Sequence, residues 1–159
     1  MKQTEKFNIS IHGVELPFEL YSIDYILEML DNNNDLFGVV QRIENASKSK
    51  IKQFYKENKN ELGENARHFA YIKFFKYKGK FYGIVGGKTN YTNPDLSFDE
   101  IKENADNRYS RNFLHNKGLK WDETIIIVNH KPLDSEEADK QGALFVECYL
   151  QRMFNLFES

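Results

Sequence analysis

The chain predicts an α/β fold of the α+β kind: a small three-stranded sheet, antiparallel or mixed, flanked by helices in β-β-α-β-α order. An N-terminal hairpin-plus-helices appendage precedes it. Three observations lead there. The runs "FAYIKFF" and "KFYGIVGGK" are rich in aromatic and β-branched residues and are joined by Lys78-Gly79-Lys80, which reads as an antiparallel hairpin. "ETIIIVNH" is a short continuous apolar run, the signature of a buried strand. "SFDEIKENADNRYSRNFLHNKG" and "DSEEADKQGALFVECYLQRMFNLF" carry helical spacing with start signals.

Taken in order, "FNISIHGVELPFEL" alternates apolar and polar residues on both sides of His12-Gly13, so a hairpin is expected with His12 as a turn residue. "SIDYILEML" follows with Ser22 as N-cap. "DLFGVVQRIENASKSKIKQFYKENKNELG" is expected to continue as one or two amphipathic helices ending near Gly63. The character changes at His68, which divides the chain into an appendage, 1–65, and a main domain, 66–159. In the main domain the first helix is capped at Ser97, with Glu100 completing a capping box, and ends at Gly118. Asp134 or Ser135 caps the last helix.

At 159 residues, with 14% aromatic content, the chain can bury a real core, and its composition argues against disorder. One cysteine, Cys148, excludes an internal disulfide framework and zinc-finger spacing. With no apolar run long enough to span a bilayer, the expectation is a cytoplasmic protein without membrane association. The formal net charge of −2 gives no global pull on nucleic acid, but its distribution is uneven. From Arg67 to Thr92 there are Arg67, Lys73, Lys76, Lys78, Lys80 and Lys88 and no acid, and Arg108, Arg111, Lys117 and Lys120 follow. Such a run reads either as a solvated face or as an anion-binding one.

"FYGIVGGKTN" raises the question of why two glycines and Lys-Thr end a strand. A P-loop would need glycine at Tyr82 and a helix directly behind the lysine, and "NYTNPDL" follows instead. A bulge at Gly86-Gly87 is one reading.

The order of elements and certain residues on it resemble the GIY-YIG nuclease family over about Phe69 to Phe157. The first strand matches the motif tyrosine at Tyr71, with Phe69-Ala70 in place of Gly-Ile. The second, "IVGGKTN", matches Gly87, Lys88 and Thr89, with Val85 where the second tyrosine would stand; Tyr82 or Tyr91 could replace it. "RNFLH" matches the helical Arg111 and His115, and Glu147 matches the metal-binding glutamate, with Asn155 behind it. Glu147 stands out on its own as a lone acid among Ala143, Leu144, Phe145, Val146, Cys148 and Leu150, a setting that calls for a cation, whether a metal ion, Arg152 or Lys88.

The resemblance implies a Mg²⁺- or Mn²⁺-dependent endonuclease acting on double-stranded DNA. Tyr71 or His115 would be the base, Arg111 the phosphate contact and Glu147 the metal ligand. Lys73, Lys88, Thr89, Arg108 and Asn155 are the expected substrate contacts, and a homodimer is one expected assembly. The lost Gly-Ile and second tyrosine leave an alternative: a non-catalytic module on the same scaffold that binds nucleic acid or protein.

Overall fold

The computed structural model describes residues 3–91 and 108–158. β1 (Thr4–Ile11) and β2 (Val14–Tyr21) pair antiparallel along their whole length, as the alternation requires. His12 and Gly13 turn the chain with φ of 50° and 78°, the two positive values of a type I′ turn. Ser22 then starts α1 (Ile23–Asn32), its Oγ accepting the Tyr25 N–H at 3.3 Å.

The next segment departs from the expected helices. Phe37–Ile43 is a strand, β3, and only then come α2 (Lys48–Glu57) and the single turn α3 (Lys59–Leu62), which ends at Gly63 with φ 93°. The cause lies far along the chain. Val39, Val40 and Ile43 are β-branched, and β3 pairs antiparallel with β6 (Trp121–His130), Ile43 opposite Ile125 and Val40 opposite Val128.

β4 (His68–Tyr77) and β5 (Lys80–Asn90) form the expected hairpin, turning at Lys78 and Gly79 with φ of 49° and 80°. The helix start expected at Ser97 and Glu100 lies outside the described residues; α4 is described from Arg108 to Lys117 and is followed by Gly118 at φ 66°. Ser135 caps α5 (Glu136–Met153), accepting the Ala138 N–H at 3.0 Å, and β7 (Phe157–Glu158) closes the chain.

Among the described residues the larger sheet therefore has five strands rather than three, in the order β3-β6-β4-β5-β7. β3 joins from the segment before residue 66, and β7 adds a short parallel contact to β5. No described helix is long and apolar enough to cross a membrane.

Each face of this sheet has its own core. One face carries Phe69, Tyr71, Phe75, Tyr82 and Ile127 and is covered by β1, β2, α2 and α4 through Phe7, Ile9, Leu20, Ile51, Phe54, Phe113 and Leu114. The other carries Ala70, Ile72, Phe74, Ile126 and Val128 and is covered by α1 and α5 through Ile26, Leu30, Val146 and Leu150. Phe7 ties the first hairpin to the sheet by lying edge-on to Phe75, Tyr77, Tyr82 and Phe113 at 5.2–5.9 Å between ring centres.

Candidate functional site

The β4–β5 register answers the question of the paired glycines. It runs regularly through them, Ile72 opposite Gly86 and Tyr71 opposite Gly87, and the bulge lies two residues earlier, where Lys73 faces Val85 and Phe74 faces Gly83, leaving Ile84 extra. Both glycines are packing requirements. A Cβ on Gly87 would run into the Tyr71 ring, and one on Gly86 would press on Gln151 and Leu156, each at 3.1 Å. The bulge at Ile84 shifts parity, so Tyr82 lies in the same core as Tyr71 and Val85.

The residues expected to act together divide between the two faces. Tyr71 is 2% exposed in the α4-side core. Lys73, two positions on, is 4% exposed with its Nζ 4.2 Å from the centre of the Trp121 ring. Thr89 is buried. Arg108 opens α4, and Arg111 and His115 are exposed on that helix, whose buried side is Ser110, Phe113 and Leu114. Glu147 belongs to α5, on the opposite side of the sheet from Tyr71. Burial pushes its carboxyl up, the Lys88 ammonium partly offsets this, and the Glu158 carboxylate adds to the rise. Asn155, at φ 53°, is a turn residue whose Nδ2 donates to the Glu19 carbonyl at 2.9 Å. Tyr91, the other candidate for the second tyrosine, is buried, donates to Asn129 Oδ1 at 3.0 Å, and is pushed well up by burial.

Mg²⁺ is commonly held by one or two carboxylates, with substrate phosphates completing the shell; Glu147 is the carboxylate that would be called on to hold it, with the Glu158 charge near enough to be felt. Among the described residues, no group of three or more His, Cys, Asp or Glu side chains is gathered to hold a metal. When bound, such an ion would neutralise charge on phosphoryl oxygens.

A second carboxylate, Asp139, escaped the sequence reading, as did His68 and His130. It is 1% exposed and takes four donors: the Arg67 and His68 N–H groups on Oδ2 at 2.9 and 3.0 Å, His68 Nδ1 on Oδ2 at 3.2 Å, and His130 Nε2 on Oδ1 at 2.9 Å. Three of these donors share Oδ2 and one meets Oδ1, so the carboxylate of this nearly inaccessible side chain is committed to holding the fold together. His130 Nδ1 meets the Lys131 carbonyl at 2.6 Å and Nε2 also meets the Asp139 carbonyl at 3.0 Å. These oxygens only accept, so the surroundings favour the ring form that donates from both nitrogens, the protonated imidazolium. Burial lowers His130, but the Asp139 carboxylate and the Lys131 carbonyl outweigh it and hold the ring above its ordinary value. Burial likewise raises Asp139, and the His130, Arg67 and His68 donors outweigh it and hold the carboxyl below its usual range. The cluster pins the start of β4 and the end of β6 to the first turn of α5. A signal for it was present: Asp139, Ala143, Val146 and Leu150 fall at helical i, i+4, i+7 and i+11 spacing, which puts Asp139 on the buried stripe.

The remaining charge lies at the tip of the β4–β5 hairpin. Of the six basic residues in the acid-free run, Lys73 is buried, Lys88 neighbours Glu147, and Arg67 pairs with Glu136 at 3.2 Å. Lys76, Lys78 and Lys80 stay exposed around Tyr77 and Phe81, with Lys78 5.2 Å from the Tyr77 ring centre and Lys76 5.7 Å from that of Phe81. Phe75 pairs with Trp121, which brings exposed Lys120, just after α4, alongside this tip. A separate groove of about 440 Å³ between β3 and α2 mixes Arg42 and Lys50 with Glu44 and Glu57 and contains none of the expected site residues.

Comparison with protein-family models, with curated proteins and with solved structures finds no match for this chain.

Proposed function

We propose that this chain binds nucleic acid through the β4–β5 hairpin tip and the adjoining α4–β6 junction, and holds it without cutting it. One observation carries the reading: Lys76, Lys78, Lys80 and Lys120 are exposed at one end of the sheet, Lys76 with Phe81 on one face, Lys80 with Tyr77 on the other, and Lys78 at the turn between them. Cations interleaved with aromatic rings suit a phosphate backbone with bases stacked beside it. Against catalysis by the expected constellation stands the separation of Tyr71, buried on one face, from Glu147 on the other.

The test is fluorescence anisotropy of a labelled DNA duplex against salt. Four phosphate contacts give a slope of log affinity against log salt of roughly −3.6, or about a hundredfold loss from about 50 to about 200 mM. Reversing Lys76, Lys78 and Lys80 to Glu should abolish measurable binding at moderate salt. Salt-independent binding, or binding unchanged in the triple variant, counts against the reading.

A second reading, a divalent-metal-dependent DNA endonuclease, is favoured by Glu147, a half-buried carboxylate beside Lys88 and Glu158. Its test is nicking of plasmid DNA with Mg²⁺ or Mn²⁺, lost in Glu147→Gln.

A further inference from the structure

Helix α5 buries one stripe, Asp139, Ala143, Val146 and Leu150, against the sheet. Its outer stripe is Glu137, Gln141, Leu144, Phe145, Cys148 and Arg152, all exposed. Leu144 is 41% and Phe145 61% exposed, which is unusual for large apolar side chains on a helix already anchored by its other side. Phe145 stacks on Tyr149, which in turn meets Phe37 edge-on, so the ring is held in place and not free to fold down onto the sheet.

The order of the outer stripe is self-complementary. About a point midway between Leu144 and Phe145, Gln141 mirrors Cys148 and Glu137 mirrors Arg152. We propose that α5 pairs antiparallel with α5 of a second copy of this chain about a two-fold axis at that point. Leu144 then lies opposite Phe145 of the second copy on either side of the axis, Gln141 lies opposite Cys148 of the second copy, and Glu137 opposite Arg152 of the second copy at both ends. The spacing Glu137, Gln141, Leu144, Cys148 is that of a coiled-coil seam, and antiparallel helices also oppose their dipoles favourably. An isologous contact requires a patch that matches itself under rotation, and the charge order along this helix supplies one. With one helix per copy the contact is modest in area, so a dissociation constant in the micromolar range is expected.

Sedimentation velocity over about 1 to about 300 μM brackets that range. It should show a monomer–dimer equilibrium for the unaltered chain, and Phe145→Glu, which sets two like charges on the axis, should weaken it by at least about tenfold with the thermal melt unchanged. Arg152→Glu should weaken it and the added Glu137→Arg should restore it. Gln141→Cys should give a covalent dimer with native Cys148 under mild oxidation. Cys148 alone should not: it lies seven residues, roughly 10 Å, along the axis from its own counterpart, beyond the about 7 Å reach of a disulfide. A monomer at every concentration, a dimer indifferent to Phe145→Glu, or crosslinking through Cys148 alone would each overturn the proposal.

Discussion

Two carboxylates on one helix, two turns apart, have opposite fates. Asp139 is buried, bonded to four donors and held below the usual carboxylate range; Glu147 is half-buried, is partly compensated by Lys88, and is pushed up. Burial acts on both in the same direction. What separates them is the number of hydrogen-bond donors that converge on the charged form, and donors come from backbone N–H groups and rings placed by β4 and β6. Asp139 is therefore a structural charge, and Glu147 is the one with coordination left to offer.

The largest effect expected from this contrast is at Asp139. Asp139→Asn keeps the shape but removes the charge that favours the protonated His130 ring and that takes four donors, and stability should fall by on the order of 3 kcal/mol, read from urea unfolding. An Asn variant as stable as the parent would mean that the cluster holds no net charge pairing. Next comes Gly142→Ala. A Cβ there would stand 2.7 Å from the His130 ring, so a change that ordinarily strengthens a helix should instead cost about 1–3 kcal/mol by displacing that ring.

The pH dependence gives the third, with a sign for each group. His130 is raised, so its contribution is complete below the ordinary histidine value of about 6.5 and is lost as pH rises through the folded value. Asp139 is lowered, so its contribution is complete above the ordinary value of about 3.9 and is lost as pH falls toward the folded one. Melting temperature should thus form a plateau between these values, and His130→Gln should flatten its alkaline limb. The smallest effect is at Glu147, whose charged form the fold disfavours. Glu147→Gln at neutral pH should change stability by no more than about 0.5 kcal/mol, toward gain, in the same unfolding assay.

The contrast also marks what could be read from the chain. Local signals were legible: the caps at Ser22 and Ser135 and both hairpin turns follow from residues within four positions of one another. β3 was not, because what makes Phe37–Ile43 a strand is β6, more than eighty positions away. Asp139 was hidden by its place in an acidic first turn, where such residues usually face water and the helix dipole. Glu147 drew notice because its sequence neighbours are apolar; Val146 and Leu150 among them do face the sheet, while Leu144, Phe145 and Cys148 point outward. Linear order could not show that Tyr71 and Glu147 fall on opposite faces, since that depends on strand parity and on which side α5 packs.

The most direct test of the proposed function follows one sample through binding and cutting. Supercoiled plasmid is titrated with the protein to full retardation on a native gel, and the same mixtures are incubated with Mg²⁺ or Mn²⁺ and deproteinised. Retardation that disappears in the Lys76, Lys78 and Lys80 variant, with the plasmid left supercoiled, is the predicted result. Nicked circles that vanish in Glu147→Gln would contradict it and place the carboxylate of α5 at a working phosphodiesterase centre.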